Sequence, residues 1–309
     1  MAELNVSLAF FCSTFVACEA ARRACRWLLP AGTCASLAQE AVGAAQLAAC
    51  CLELRVLVEL GPWVAGLGAD LLLTLLFLLC LGHGVSLDRT WANPTVALQD
   101  LLLVEVSLPS TLLRLVAQAL GMAAACILTQ LCWSWELSSL HLFQKLLASE
   151  CSSTLRTSVP HGALVEGACA LCFHLTLLRF RSSPPVHRVP AIALLLTVLG
   201  YIAGPFTSAF FNPTLASVIT FSCSGNTLLE YIQVYWLGPL AGMVLAVLLH
   251  QGNLPWLFQR NLLYRQKSKH RTPRGKPAPV PGQPTTTTKG QSPGDTGGRS
   301  RAGRPLCPH

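Results

Sequence analysis

The tripeptide Asn-Pro-Thr occurs twice in the chain, at Asn93–Thr95 and at Asn212–Thr214. Each copy follows one long apolar segment, opens a short apolar segment, and precedes another long one. A helix of about nine residues is roughly 14 Å long, which is about half the hydrocarbon thickness of a bilayer. The two matched copies therefore predict a pair of half-helices that meet inside a membrane.

Composition agrees with an integral membrane protein. Hydrophobic residues make up 52% of the 309 positions and charged residues only 12%, whereas a soluble domain carries about 25% charged residues. The mean hydropathy is +0.50. We therefore predict an all-α membrane protein whose principal partner is the lipid bilayer.

Six long apolar segments predict six transmembrane helices. They are Leu4–Ala17, Ala69–Leu87, Leu112–Trp133, Gly162–Phe180, Val189–Ala203 and Leu228–His250. With the two short segments, the order span, span, half-span, span occurs twice. Because each set makes three crossings, the second set must enter the membrane with the opposite orientation, which is an inverted repeat with two re-entrant half-helices. We expect the first repeat at residues 1–140 and the second at 141–252.

The segment Pro30–Leu60 does not fit this order. Glu40, Glu53, Arg55 and Glu59 interrupt its apolar residues, and charged side chains are costly on a lipid-facing helix. We therefore predict an amphipathic surface helix or an irregular insertion at about residues 30–60.

The carboxyl-terminal part, residues 253–309, is polar and strongly basic. From Arg260 onward it holds eleven Lys and Arg residues and one acidic residue, Asp295, a net charge of +10 against +8 for the whole chain. Its content of Pro, Gly and Thr predicts a disordered tail. The basic charge serves as a topology signal or, alternatively, binds anionic lipid. Nothing else in the sequence supports a nucleic-acid partner.

The basic residues also predict orientation, because Lys and Arg concentrate on the cytosolic side of membrane proteins. With six crossings and a cytosolic tail, both termini are expected in the cytosol. The connection Arg179–Arg188 agrees with this orientation. Arg22, Arg23 and Arg26 disagree, since they would then lie on the other side.

The residue types of the two triplets indicate what the half-helices do. Asn is a favoured N-cap and Pro suits the first helical position, so Asn93-Pro94 and Asn212-Pro213 should each begin a helix. The amide oxygen can accept from the helix start and leave the NH₂ group to donate into a lumen. Two helix starts also bring two partial positive charges together, which would repel a cation and hold a neutral solute by its oxygen. We predict a passive pore for uncharged polar molecules.

A few other polar residues lie in apolar segments. Glu166 should have a defined partner, and it either caps backbone N–H groups or lines the pore. His83, His174 and His250 are read as interfacial histidines or as hydrogen-bonded core histidines. The sequence shows no nucleophile–base set, no phosphate-binding loop and no metal-ligand pair, so we predict no enzymatic activity, no cofactor and no metal.

At this point the chain resembles the aquaporin family of major intrinsic proteins. Besides the two triplets, the resemblance rests on Gln118 and Gly121 in the third span, Glu166 in the fourth, and Gly238-Pro239 in the sixth. It implies six tilted helices with two re-entrant half-helices, one pore for each subunit, and a homotetramer.

Several positions depart from the family pattern. The third triplet residue, usually Ala, is Thr95 and Thr214, and the Arg that usually follows the second triplet is Leu215. The constriction should therefore be more apolar. The other filter position falls at Gly200. The glutamate usually found early in the first span has no counterpart there, because Glu19 lies at the far end of that segment.

Cys223 lies nine residues after Thr214, a spacing similar to a marker of the unorthodox intracellular branch of the family. This resemblance implies residence in the endoplasmic reticulum or another intracellular vesicle membrane. We predict a channel for water and/or small neutral solutes, with glycerol and hydrogen peroxide as candidates. One alternative is a poorly conducting structural or regulatory membrane protein with the same fold. The other is an ion-coupled transporter, for which only Glu166 could serve as the intramembrane carboxylate.

Overall fold

The computed structural model describes residues 2–30, 32–87, 90–147 and 151–252. The predicted basic tail, 253–309, lies outside these residues. The described chain is helical: α1 (Ala2–Leu28), α2 (Thr33–Glu59), α3 (Gly61–Val64), α4 (Ala69–Ser86), α5 (Pro94–Leu102), α6 (Leu108–Trp133), α7 (Ser139–Leu147), α8 (Val159–Arg179), α9 (Pro185–Thr207), α10 (Pro213–Thr220), α11 (Leu228–Ile232) and α12 (Gly238–Gln251). A π-helical turn, Gln233–Leu237, joins the last two.

Seven helices in the described residues are long and apolar enough to cross a membrane, with α11, the π-helical turn and α12 forming one of them. The predicted half-helices are α5, with nine residues, and α10, with eight. At 1.5 Å per residue each reaches about half the thickness of the hydrocarbon layer. The multi-helical membrane architecture with two half-helices is thus as predicted, but it contains one long helix more than the six expected.

The additional long helix is α2, and the prediction for residues 30–60 was wrong. This segment is neither a surface helix nor irregular, since α2 packs along α1 and α6 and buries both Glu40 and Glu53. These carboxylates would be costly against lipid, but both are buried inside the protein. Inside the protein each carboxylate has hydrogen-bond donors, which removes most of the cost of its burial.

The glutamates show that α2 and α8 are equivalent helices of the two repeats. Glu40 is the eighth residue of α2 and Glu166 the eighth residue of α8, and both are buried. The first helix of the first repeat is therefore α2. The segment predicted as the first span, Leu4–Ala17, belongs to α1, an additional helix of which little is buried.

The close contacts between helices also occur at equivalent positions of the two repeats. A Cβ atom at Gly121 of α6 would lie 2.1 Å from the carbonyl oxygen of Ala41, and one at Gly242 of α12 would lie 2.1 Å from that of Gly167. No side chain fits at either position. In each repeat, the third helix thus touches the backbone of the first helix at the residue that follows the buried glutamate. Gly238 makes a similar approach to α8, and Pro239 is buried in the first turn of α12.

A buried polar cluster around Glu53 attaches α1 to the rest of the protein. Ser7 of α1 donates to Glu53 Oε1 at 2.5 Å, and Trp133 Nε1 of α6 donates to Oε2 at 2.8 Å. His141 Nε2 of α7 lies 3.1 Å from Oε1. One carboxylate therefore holds four helices together.

A second polar contact secures the other end of α1. Arg22 is buried, and its Nη1 donates to Gln46 Oε1 of α2 at 2.8 Å. Gln46 in turn donates to Ser86 Oγ of α4 at 2.8 Å. Ser7 near its start and Arg22 near its end thus bond α1 to α2 at two separate points.

We expect Glu53→Gln to lower the free energy of unfolding by about 2 kcal/mol, because hydrogen bonds to a charged acceptor contribute roughly 1.5–3 kcal/mol. The matched control is Glu136→Gln, which removes the charge of the exposed partner of Lys145 and should cost under about 1 kcal/mol. Chemical unfolding of the detergent-solubilised variants measures both changes. Equal effects at the two positions would contradict the role given to the buried cluster.

Candidate functional site

A cavity of about 610 Å³ lies within the helical bundle. It extends along nearly the whole of α4, from Ala69 to Gly84, and along α9 from Arg188 to Pro205. Its wall is mainly leucine and other apolar side chains, and it also includes the starts of both half-helices. The cavity therefore follows the direction in which a solute would cross the membrane.

Asn93 and Asn212 line this cavity and cap the half-helices. Asn93 Oδ1 accepts from the backbone N–H of Thr95 at 3.0 Å, and Asn212 Oδ1 accepts from that of Leu215 at 3.3 Å. Both asparagines are extended and are followed by proline at the first helical position. This is the capping geometry that the triplets predicted.

The two caps also bond to each other's backbone. Asn93 Nδ2 donates to the carbonyl oxygen of Phe211 at 3.2 Å, and Asn212 Nδ2 donates to that of Ala92 at 2.8 Å. Each NH₂ group carries two hydrogens, so one is used in this crossed pair and the second is left for the lumen. The sequence predicts an NH₂ group that is free to donate into the lumen, and the crossed bonds correct this prediction for one of its two hydrogens.

The residue before each asparagine has an unusual backbone. Ala92 has φ of 53° and Phe211 has φ of 32°, which few residues other than glycine adopt. In both cases the N–H is held by a buried carboxylate: Ala92 donates to Glu40 at 3.1 Å and Phe211 donates to Glu166 at 2.5 Å. The glutamates thus stabilise the strained turns. These turns place the carbonyl oxygens of Ala92 and Phe211 where the opposite asparagines bond to them.

Further bonds complete the two carboxylate sites. Glu166 also accepts from Thr207 Oγ1 at 2.6 Å and from the N–H of Phe210 at 3.1 Å, and it is not among the cavity residues. Of the two roles considered for Glu166, the geometry favours backbone capping. Glu40 accepts from Gln118 Nε2 at 2.7 Å. The first-span glutamate that the sequence analysis found missing is therefore Glu40.

Thr95 is bonded on both sides. Its hydroxyl lies 2.8 Å from Asn93 Oδ1 and 2.9 Å from His174 Nε2, and His174 Nδ1 lies 2.7 Å from Gln99 Oε1. All four residues are buried. The threonine that departs from the family pattern thus links the first cap to a histidine of α8.

The two predicted filter positions, Leu215 and Gly200, both line the cavity. Leu215 is buried beside the Asn212 cap, and a Cβ at Gly200 would lie 3.0 Å from Leu76 Cδ2 of α4. This part of the wall is therefore apolar. Arg55 of α2 also lines the cavity, although no motif in the sequence marks it as a site residue.

Cys223 forms a disulfide with Cys151, with a Cα–Cα distance of 4.8 Å. The bond joins the segment before α8 to the segment after α10. It lies at the ends of α8 and α9 opposite to their basic connection, Arg179–Arg188. Spacing alone could not have identified Cys151, because 72 residues separate the two cysteines.

Together, the capped half-helices, the crossed asparagines and the cavity along the bundle define a membrane channel protein. The family model described as "Major intrinsic protein" matches residues 64–250. The chain belongs to this family, the aquaporins, as its sequence motifs predicted, and it is not an enzyme.

Curated relatives support the assignment over most of the chain. Aquaporin-12 of Mus musculus is 70% identical over 90% of this chain and 96% of its own length. Aquaporin-11 of Equus caballus is 31% identical over 72% of this chain and 79% of its own length. The X-ray structure of the aquaglyceroporin from Plasmodium falciparum has a TM-score of 0.52 at 17% identity, over 72% of this chain and 99% of that chain. It supports the aquaporin fold.

We expect Thr95→Val to lower the free energy of unfolding by about 1–3 kcal/mol, because it leaves a nitrogen of the buried His174 without its partner. Thr214→Val is the matched control at the equivalent position of the second triplet. Its hydroxyl makes no hydrogen bond within the described residues, so a change under about 0.5 kcal/mol is expected. Equal losses, measured by chemical unfolding in detergent, would show that the Thr95–His174 link contributes nothing.

Proposed function

We propose that this protein is a passive channel for water and/or small neutral solutes in an intracellular membrane. The crossed pair of Asn93 and Asn212 supports this most strongly. It presents amide donors and two helix N-termini to one place in the cavity, so the local charge is positive. A neutral solute can be held there by its oxygen, whereas a cation is repelled.

The apolar wall favours small solutes with few polar groups. Leu215, Gly200 and Ala209 line the cavity and offer no charged side chain to a passing molecule. Water, hydrogen peroxide and glycerol need few hydrogen-bond partners at one time, and the glycerol carbons can contact leucine. We therefore retain all three as candidate solutes.

A poorly conducting structural or regulatory protein is the second candidate. It is favoured by the close approach of two apolar wall residues, since a Cβ atom at Gly200 of α9 would lie 3.0 Å from Leu76 Cδ2 of α4. Hydrophobic constrictions can close a pore by excluding water. The ion-coupled transporter would need Glu166 to bind the coupling ion. Glu166 is fully buried and its oxygens already accept three hydrogen bonds, so the structure does not favour this alternative.

Seven crossings would change the expected orientation. The prediction of two cytosolic termini rested on six crossings, whereas seven would place the start of α1 opposite the basic tail. With the tail in the cytosol, Arg22, Arg23 and Arg26 at the end of α1 then lie on the cytosolic side. This arrangement removes the conflict with the distribution of basic residues.

The disulfide supports residence in the secretory pathway. In the proposed orientation Cys151 and Cys223 lie on the lumenal side, where disulfides form and persist. We therefore propose the endoplasmic reticulum or another intracellular vesicle membrane. We also propose a homotetramer, as the family resemblance implies, and the position of the cavity within a single chain agrees with one pore per subunit.

Stopped-flow swelling of liposomes that contain the purified protein tests the channel. We expect water permeability several-fold above that of protein-free liposomes, and we expect Gly200→Trp to abolish the increase because an indole would fill the cavity beside Leu76. Leu194→Trp is the control, since Leu194 lies on the same helix but is exposed and outside the cavity wall. Wild-type permeability equal to that of protein-free liposomes for water, glycerol and hydrogen peroxide would favour the poorly conducting alternative.

A glycosylation tag tests the orientation. A tag with an Asn-X-Ser/Thr acceptor, fused through a spacer ahead of α1, should be glycosylated in microsomes if all seven helices cross. The same tag at the carboxyl terminus should remain unmodified and serves as the control. An unmodified amino-terminal tag that a cytosolic protease can reach would contradict the seven-crossing arrangement.

A further inference from the structure

Arg55 of α2 bonds to the second half-helix, which packs against α2. Its Nη1 donates to the carbonyl oxygen of Ile219 at 2.9 Å, and its Nε donates to Glu59 Oε1 at 3.0 Å. Ile219 lies in the last turn of α10, which ends at Thr220. A cation at this end of a helix also complements the partial negative charge of the helix terminus.

The same guanidinium borders the cavity. Arg55, Leu215 and Ile219 all belong to its wall, and the Arg55 side chain is 20% exposed. Ile219 lies four residues beyond Leu215, about 6 Å along the axis of α10. Arg55 therefore lies about one helical turn from Leu215. It lies between the Asn212 cap and the mouth of the cavity at the carboxyl-terminal end of α10.

The guanidinium retains hydrogen-bonding capacity. An arginine side chain has five N–H donors, and within the described residues the hydrogen bonds to Glu59 and Ile219 use two of them. Three donors are left for solute oxygens. Glu59 is the last residue of α2, one turn nearer the mouth, so Arg55 is the deeper charge of the pair.

We propose that Arg55 determines selectivity in this channel, supplying from α2 the positive charge and the donors that Leu215 cannot supply from α10. It excludes cations at the mouth and offers donors to neutral solutes that carry oxygen. This inference rests on the proposed channel function. It goes beyond that function because it assigns selectivity to a residue of α2 that lies 164 positions before Ile219, its partner in the second half-helix.

Three substitutions separate the charge of Arg55 from its structural bond. Arg55→Lys keeps the charge, Arg55→Gln keeps a donor for the Ile219 carbonyl but loses the charge, and Arg55→Leu loses both. Liposomes that contain each variant are assayed for water flux by swelling, and for proton and potassium leak with entrapped indicator dyes. Arg23→Leu is the control, because it removes an exposed arginine outside the cavity wall.

We expect cation leak per unit of water flux to rise about tenfold in Arg55→Gln and Arg55→Leu, a ratio that corresponds to about 1.4 kcal/mol. Arg55→Lys and Arg23→Leu should remain near the wild-type value. If Arg55→Gln conducts water and still excludes cations as the wild type does, Arg55 only caps α10 and the inference is overturned. If the wild type conducts no neutral solute, the proposed function itself fails, and this inference fails with it.

Discussion

The arrangement of the site depends on the hydrogen bonds that two buried glutamates accept from the backbone. Bare backbone inside a membrane must find partners within the protein. Glu40 and Glu166 supply them to Ala92 and Phe211, the strained residues that precede the two half-helices. Without these carboxylates the turns would lose their support, and the carbonyl oxygens that receive the crossed asparagine bonds would have no fixed position.

The packing of the other helices holds the two glutamates in position. Each glutamate lies at the same position of an equivalent helix, and the next residue of that helix is approached by a glycine from the third helix of its repeat. The outer helix α1 covers α2, and the buried charges of α2 bond to α1 and to neighbouring helices. Glu40 and Glu53 of α2 would be unfavourable against lipid, but α2 is the inner, first helix of the first repeat and buries them.

The sequence was sufficient for features that are set locally or repeated. The caps at Asn93 and Asn212, the half-helix lengths and the family could all be predicted from it. It was insufficient where a residue is explained by a distant partner: Glu53 by Ser7 and His141, 46 and 88 residues away, and Thr95 by His174, 79 residues away. A comparison of the two repeats could have revealed Glu40, because it precedes Ala92 by 52 residues and Glu166 precedes Phe211 by a similar 45.

The central claim is that two crossed asparagine caps, supported by Glu40 and Glu166, border a continuous path for neutral solutes. A structure of the protein in lipid nanodiscs, at a resolution that shows ordered water, tests it most directly. The account predicts a chain of water molecules through the cavity, with one water bonded to the free amide hydrogen of Asn93 and another to that of Asn212. A cavity that is dry or filled by lipid chains at the two caps, or glutamates that do not bond to Ala92 and Phe211, would contradict it.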